Sequence, residues 1–407
     1  MFSIHEGIPT DESVVSYKYH IHESYTSRYN NNDEIRIPLQ EDLCTLPSES
    51  YLYIEGQLLK SDGTASGINT KFVNNGIAFL FSEIRYEVNG FVVDVNTKPG
   101  LTSTMKGLAS FNKSEAVKYE NAGWFPGKES TIVKNGRFSV CIPLKMLLGF
   151  AEDYKKVMVN IFQELILIRS NSDKSALKCV VTTDASGTKK CSADEKAKVV
   201  IDKIMWKVPH IIPGLHEEVN LTKFIEKGKD IIVPYRTWEL HSFPSLPNTT
   251  RHTWNVKTST KLESPRYIIM GFQTDRERLE ADSSEFDTCD FSNIRLFLNN
   301  ERYPYENLNI SFANNQFATL YEMFTQFRSA YYYDYKSETD ITPSQFAKAF
   351  PLIIVDCSKQ KTGFQTQSVV LRVEFETNTA ILANTTAHIL IISDRVFTYN
   401  PLTKSVK

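Results

Sequence analysis

The amino-acid sequence predicts an all-β fold of the sandwich or jelly-roll kind, built twice in tandem. Three observations carry this. Short runs rich in Val, Ile, Tyr and Phe recur along the whole chain, helical periodicity is rare and brief, and one strand–turn pattern returns 210 residues after it first appears. At 407 residues the chain exceeds one ordinary core, since domains usually hold about 100–200 residues.

The strand runs come in order. In the first half they are YLYIEGQLL (51–59), FSEIRYEV (81–88), FSVCIPL (138–144), VMVNIFQELILI (157–168) and VVIDKIMWKV (199–208). The second half has DIIVPYRTWEL (230–240), RYIIMGFQT (266–274), IRLFLN (294–299), PLIIVDC (351–357), SVVLRVEFE (368–376) and AHILIISDRVFTY (387–399). Several alternate apolar with polar residues, as half-buried strands do. Helical spacing joins Leu101, Met105, Leu108 and Ala109, and again Phe317, Leu320, Tyr321, Phe324 and Phe327. Thr342-Pro343-Ser344-Gln345 has capping-box form with Pro at the first helical position. The polar segment 171–198 reads as a long surface loop.

The internal repeat is the most informative feature. Phe81-Ser82-Glu83-Ile84-Arg85 is matched by Phe291-Ser292-Asn293-Ile294-Arg295, and the match runs without a gap to Asn89-Gly90 and Asn299-Asn300. Both dipeptides suit a two-residue type I′ hairpin, which needs positive φ at each central position. A helix follows each hairpin, and a strand ending in Gly precedes each, YLYIEG (51–56) and YIIMG (267–271). Duplication is the favoured reading, and it places Ile84 onto Ile294.

Composition excludes several classes. Lys plus Arg is 46 and Asp plus Glu is 48, a net charge of −2, which argues against a protein built chiefly to coat nucleic acid. With 41% hydrophobic residues, wholesale disorder is excluded. No stretch approaches the ~18 apolar residues of a membrane helix, and the N-terminus has no signal-peptide pattern. The five Asn-x-Ser/Thr sequons (Asn112, Asn220, Asn248, Asn309, Asn384) are therefore expected to be unmodified. The six cysteines are scattered and read as reduced thiols in an intracellular compartment, with Cys179 and Cys191 the only plausible bridge.

Candidate chemistry is thin. His20-Ile21-His22-Glu23 is the sole H-x-H, but it lacks the Gly and carboxylate spacing of β-roll metal sites, so it reads as a solvated arm. Asp356, His388 and a serine have the residue types of a hydrolytic triad, yet no G-x-S-x-G elbow accompanies them. Glu152-Asp153 and Glu217-Glu218 sit at expected helix starts or loops, where acids favour the helix N-terminus. No phosphate-binding glycine motif occurs. Tyr331-Tyr332-Tyr333-Asp334-Tyr335 suits either a contact surface or core packing, and Lys404 and Lys407 offer little phosphate neutralisation. The sequence thus names no catalytic, cofactor-binding or metal-ligating residue, and no cofactor is expected.

Four stretches resemble the double jelly-roll major capsid proteins, most closely those of the Polinton/Maverick and adintovirus type. They are FLFSEIRYEVNGFVVDVNTKPGLTSTMKGL (79–108), FQELILIRSNSDKSAL (162–177) with IMWKVPHI (204–211), SPRYIIMGFQTDR (264–276) with IRLFLNNERYPYENLN (294–309), and AFPLIIVDCS (349–358) with IISDRVFTYNP (391–401). The resemblance implies two tandem eight-stranded jelly rolls with a few short helices in loops. We expect an N-terminal arm and first roll over 1–228 and a second roll over 229–407. It further implies a non-enzymatic viral structural protein whose homotrimers, hexagonal in outline, tile an icosahedral shell around double-stranded DNA. Partners would then be other copies of the chain, with penton or minor capsid proteins beyond them, and neither sequence-specific nucleic acid nor a transmembrane segment. The chain would reside in the virion. Two other readings stay open: a host-encoded protein derived from such a capsid gene, and a carbohydrate-binding or hydrolytic β-sandwich protein.

Overall fold

The strand runs pair into two sandwiches that share one wiring scheme in the computed structural model. It describes residues 13–40, 44–60, 63–65, 69–183, 189–191, 197–256, 265–276, 278–298, 301–336, 338–359 and 370–407. Numbering the principal strands in chain order, the first eight are β1 (Val14–Glu23), β2 (Glu34–Leu39), β3 (Tyr51–Leu59), β4 (Phe81–Val88), β5 (Phe91–Thr97), β6 (Arg137–Pro143), β7 (Gln163–Arg169) and β8 (Lys198–Pro213). The next eight are β9 (Ile231–Phe243), β10 (Arg251–Val256), β11 (Pro265–Thr274), β12 (Phe291–Leu298), β13 (Glu301–Tyr303), β14 (Ile353–Asp356), β15 (Leu371–Thr377) and β16 (Thr385–Tyr399).

In the first set the sheets run β1-β8-β3-β6 and β2-β7-β4-β5. In the second they run β9-β16-β11-β14 and β10-β15-β12-β13. Adding eight to every strand of the first pair gives the second. Each set is thus an eight-stranded antiparallel sandwich whose first strand pairs with its last, the jelly-roll arrangement. The short strands 44–45 and 158–159 extend the first sheet.

Sequence patterning explains the pairing. In β3 the side chains of Leu52, Ile54 and Leu58 are buried while Tyr51, Tyr53 and Glu55 on the other face stay half-exposed. Asn89 and Gly90 both take positive φ (48° and 78°), the type I′ conformation, and Val88 faces Phe91 across the turn. In the repeat, Leu298 faces Glu301, and the expected turn at 299–300 lies outside the described residues. Ile84 faces Leu167 of β7, and Ile294 faces Phe375 of β15, the strand equivalent to β7. The two sheets of each roll close on an apolar core. Tyr86 meets Trp206 edge-on in the first, and Phe272 packs against Phe291 and Phe375 in the second.

Helices of five residues or more are α1 (Pro99–Ser110), α2 (Lys113–Tyr119), α3 (Gly149–Asp153), α4 (Leu215–Glu226), α5 (Ala318–Tyr332) and α6 (Pro343–Ala349). α1, α5 and α6 answer to the three helices expected from spacing and capping, and Thr342 and Gln345 form their reciprocal capping box. α2 begins with a second such box, Asn112 with Glu115. None of these helices is long and apolar enough to cross a membrane.

Three expectations need correction. The segment 171–198 is not simply a loop. Residues 177–179 pair with 70–72, and 181–183 with 189–191, while 184–188 and 192–196 lie outside the described residues. That pairing brings the Cα atoms of Cys179 and Cys191 to 5.6 Å, and the two form a disulfide, so these cysteines are not reduced thiols. Cys44, Cys141, Cys289 and Cys357 are thiols outside that disulfide. Residues 14–23 form a strand instead of a free arm, though most of them stay exposed to solvent, because the last nine residues of the 16-residue β8 take β1 as an antiparallel partner.

Matched wiring predicts matched sensitivity. Ile84→Ala and Ile294→Ala, each removing a fully buried branched side chain from equivalent strands, should each cost about 2–5 kcal/mol in urea denaturation. A negligible loss at either position would contradict the equivalence of the two cores.

Candidate functional site

An extended polar network lies where the two rolls meet. The edge strand β9 of the second roll is covered by β5 and α3 of the first. Tyr235 on β9 donates its hydroxyl hydrogen to the Val93 carbonyl. Asp94 accepts from Thr237 Oγ1 at 2.8 Å and from the Phe150 amide at 3.0 Å. Burial raises the Asp94 carboxyl above the usual range, and these two donors oppose that rise. The approach is close enough to dictate a residue. A Cβ on Gly149 would stand 1.9 Å from the Arg236 carbonyl oxygen, so only glycine fits there.

Behind this contact lies a buried cluster of charges and rings. Lys106 on α1 is 1% exposed, and its ammonium bonds the Glu152 carboxylate and the Tyr332 hydroxyl. The same ammonium sits over the rings of Trp238, Tyr331 and Tyr332 at 5.0, 4.7 and 4.9 Å. Desolvation pulls the Lys106 pKa down, and Glu152 pulls it back up. Tyr331 donates to the other Glu152 oxygen at 2.7 Å. Next to it Arg236 bonds Asp153 through two guanidinium nitrogens at 2.8 and 2.6 Å, and its plane lies 3.5 Å from the Tyr331 ring centroid. On α5, Arg328 bonds the Ser110 carbonyl, Glu115 and Asp334. Side chains of α1, α2, α3, β9 and α5 therefore converge, and each charge has an opposite partner. Such an arrangement orients two bodies.

The residues singled out by sequence fall as follows. Glu152-Asp153 close α3 and supply the junction's anions, while Glu217-Glu218 open α4 as expected of helix-start acids. The tyrosine run divides: Tyr331 is buried and Tyr332 half-buried at the junction, whereas Tyr333 and Tyr335 are exposed. His388 shares a 2.9 Å hydrogen bond with Ser242, and burial lowers its pKa to about 3. Asp356, however, faces Tyr267 while His388 faces Gly271, four residues along β11 and roughly 13 Å away at strand spacing. No triad assembles. Lys407 pairs with Asp230 at 3.7 Å, and the Lys404 carbonyl accepts from Asn89.

The H-x-H motif has a third member that sequence reasoning did not supply. His20 stacks on His210 of β8 with ring centroids 4.1 Å apart, and the Nε2 atoms of His22 and His210 lie 3.1 Å apart. Burial, then the neighbouring His210 and His20, push His22 down to about 4. Among the described residues no group of three or more His, Cys, Asp or Glu is arranged to hold a metal ion. A surface cleft of about 430 Å³ is lined by Lys178, Asp275, Arg276 and Glu285 among others. Its cations are already engaged, Lys178 with Asp282, Arg276 with Asp287, and Arg278 with Asp275.

Comparison with known proteins agrees with this geometry. The profile of the family described as the double jelly roll-like domain matches residues 70–397. Among solved structures the chain is similar to the Faustovirus major capsid protein, with TM-score 0.63 and 9% identity over 97% of this chain and 92% of that one. It is similar to the mavirus major capsid protein, with TM-score 0.58 and 11% identity over 100% of this chain and 92% of that one. A chain of the Sputnik virophage gives TM-score 0.58 and 11% identity over 100% of this chain and 90% of its own. No match is found among the curated proteins.

Two outcomes follow from the site. Lys106→Met or Glu152→Leu alone strands a buried charge and should cost about 3–5 kcal/mol, whereas the double variant should regain most of it in a thermal-denaturation cycle. Additive losses would show that the pair is not coupled. The second outcome concerns pH. His22 is held below its ordinary value of 6.5, so its contribution is complete above about pH 6.5 and is lost as pH falls toward 4. Hydrogen exchange of β1 amides, corrected for intrinsic rate, should therefore quicken between pH 7.5 and 5, and His22→Phe should remove that sensitivity.

Proposed function

Because the chain belongs to the double jelly roll-like domain family, we propose that it is a structural, non-catalytic viral major capsid protein that builds shells from copies of itself. The observation that carries this reading is the pair of identically wired sandwiches locked together at a buried charge cluster. Duplication provides two wedge-shaped modules in one chain, and three chains closed in a ring then present six such modules around the centre. We place the boundary between the modules at 228/229, after α4 and before β9. The assembly we propose is a homotrimer, hexagonal in outline, that tiles an icosahedral shell around double-stranded DNA, with penton or minor capsid proteins at special positions. Likeness to capsid proteins at TM-scores near 0.6 over nearly whole chains supports it.

The test is direct. Light scattering of the purified protein should give three times 46.5 kDa or a far larger particle, and negative-stain micrographs should show hexagonal capsomers or shells. A monomer throughout the micromolar range and at all salt concentrations would remove the proposal.

A further inference from the structure

The two rolls also touch away from the charged junction, and there the contact is held differently. Residues 177–179 belong to the first roll and pair with 70–72. The Cys179 amide donates to the Leu279 carbonyl of the second roll at 2.8 Å, and the Lys178 ammonium lies 3.4 Å from the Asp282 carboxylate. The second-roll segment that follows β11 is knit within itself. Arg276 bonds Asp287, Ser284 bonds Asp282, and Gln273 donates to the carbonyls of Ser283 and Glu285. It therefore meets the first roll as one body, and Lys178, Glu280 and Asp282 line the cleft of about 430 Å³ described above.

On the first-roll side the fixing element is the Cys179–Cys191 bond. Beyond Cys179 the chain pairs only 181–183 with 189–191. A lone two-stranded hairpin is marginal in water, and this sequence, VTTDASGTKKC over 181–191, offers it little apolar surface. The cross-link ties the hairpin's last residue to Cys179, whose amide holds Leu279. Access to the bond is one-sided. Cys179 is 4% exposed, whereas Cys191 is partly exposed and its Sγ lies 3.6 Å from Glu280 Oε1. A disulfide sulfur has no hydrogen to donate, so that carboxylate gains no hydrogen bond from it. It does repel a thiolate approaching Cys191.

We infer that the Cys179–Cys191 pair is a redox-operated clasp between the rolls, guarded against reduction by Glu280. To close it, the two thiols pass two electrons and two protons to a small-molecule disulfide such as oxidised glutathione. That disulfide leaves as two thiols, and the S–S bond forms in the protein. To open it, a reductant thiolate attacks Cys191 Sγ, the exposed sulfur, and the Cys179 sulfur leaves and takes up a proton. A second thiol of the reductant then releases Cys191, and the reductant ends as a disulfide. With the bond closed, Cys179 and Lys178 hold one wall of the cleft against the other roll. With it open, the hairpin loses its tie and the contact to Leu279 and Asp282 loosens. None of this depends on the self-assembly proposed above, because every contact in the clasp lies within one chain.

Alkylation tests the bond, and hydrogen exchange tests the clasp. The full chain, equilibrated with oxidised glutathione, denatured and treated with iodoacetamide, should carry four labels, and six after dithiothreitol. In the folded chain, dithiothreitol should quicken exchange about tenfold in 177–180 and also in 278–285 of the other roll, while β9 at the charged junction keeps its rate. Cys191→Ser should show the fast exchange from the start and no response to dithiothreitol. Glu280→Gln should speed reduction by dithiothreitol about threefold in low salt, and the difference should shrink as salt rises. Six labels on the oxidised chain, or faster exchange confined to 177–191, would overturn the clasp. A reduction rate indifferent to Glu280→Gln would overturn the guard.

Discussion

Everything in this molecule depends on keeping two separate sandwiches in one relative orientation, and the Arg236–Asp153 pair, with the bonds of Tyr331 and Tyr332 to Glu152 and of Lys106 to Tyr332, provides that constraint. Apolar surfaces can slide over one another at little cost. The Arg236 guanidinium and the Tyr331 and Tyr332 hydroxyls cannot, because every displacement of one roll against the other parts them from Asp153 and Glu152 and leaves charge uncompensated in a poorly polarisable surrounding. The cluster therefore contributes more to uniqueness than to net stability. Gly149 plays the steric counterpart by letting the two backbones approach where any other residue would force them apart.

The connection between the rolls does little of this work. α4 spans twelve residues, about 18 Å, and none of them is buried. Its Leu215 and Val219 are exposed, and only Leu221, Phe224 and Ile225 are partly covered along one side. The helix bridges the distance from the end of β8 to the start of β9 without belonging to either core. Side chains distant in sequence set the orientation: Lys106 and Tyr332 are 226 residues apart, and Arg328 and Ser110 218.

That distance explains what could and could not be read in the sequence. Strands such as 51–59 were legible because alternation records a half-buried face locally, and the Asn89-Gly90 turn because its backbone demands those residues. The repeat at 81 and 291 exposed the duplication for the same reason. β1 was not legible. VVSYKYHIHE mixes His and Lys into its alternation, so it resembles a solvated arm until β8 is seen beside it. The junction showed only as scattered pieces, the Glu152-Asp153 acids and the Tyr331-Tyr332 rings, with nothing to say that they meet. Lys106, Glu152 and Arg236 look like ordinary surface charges, and nothing nearby in sequence says they meet. Cys179 and Cys191 were recognisable as a pair by position, but their bonding depends on the short strands between and around them.

The pairing of each roll's first strand with its last also sets the order in which the chain can organise itself during synthesis. β1 finds its partner in β8, whose pairing residues leave the ribosome about two hundred residues later. β9 waits in the same way for β16. Neither roll can close progressively from its beginning, and closure comes only as its final strand arrives, which joins the most distant segments last and makes folding slow. Until its closing strand arrives, each roll of the newborn chain holds one waiting strand with unsatisfied backbone, first β1 and then β9, open to pairing with neighbouring chains on the same messenger.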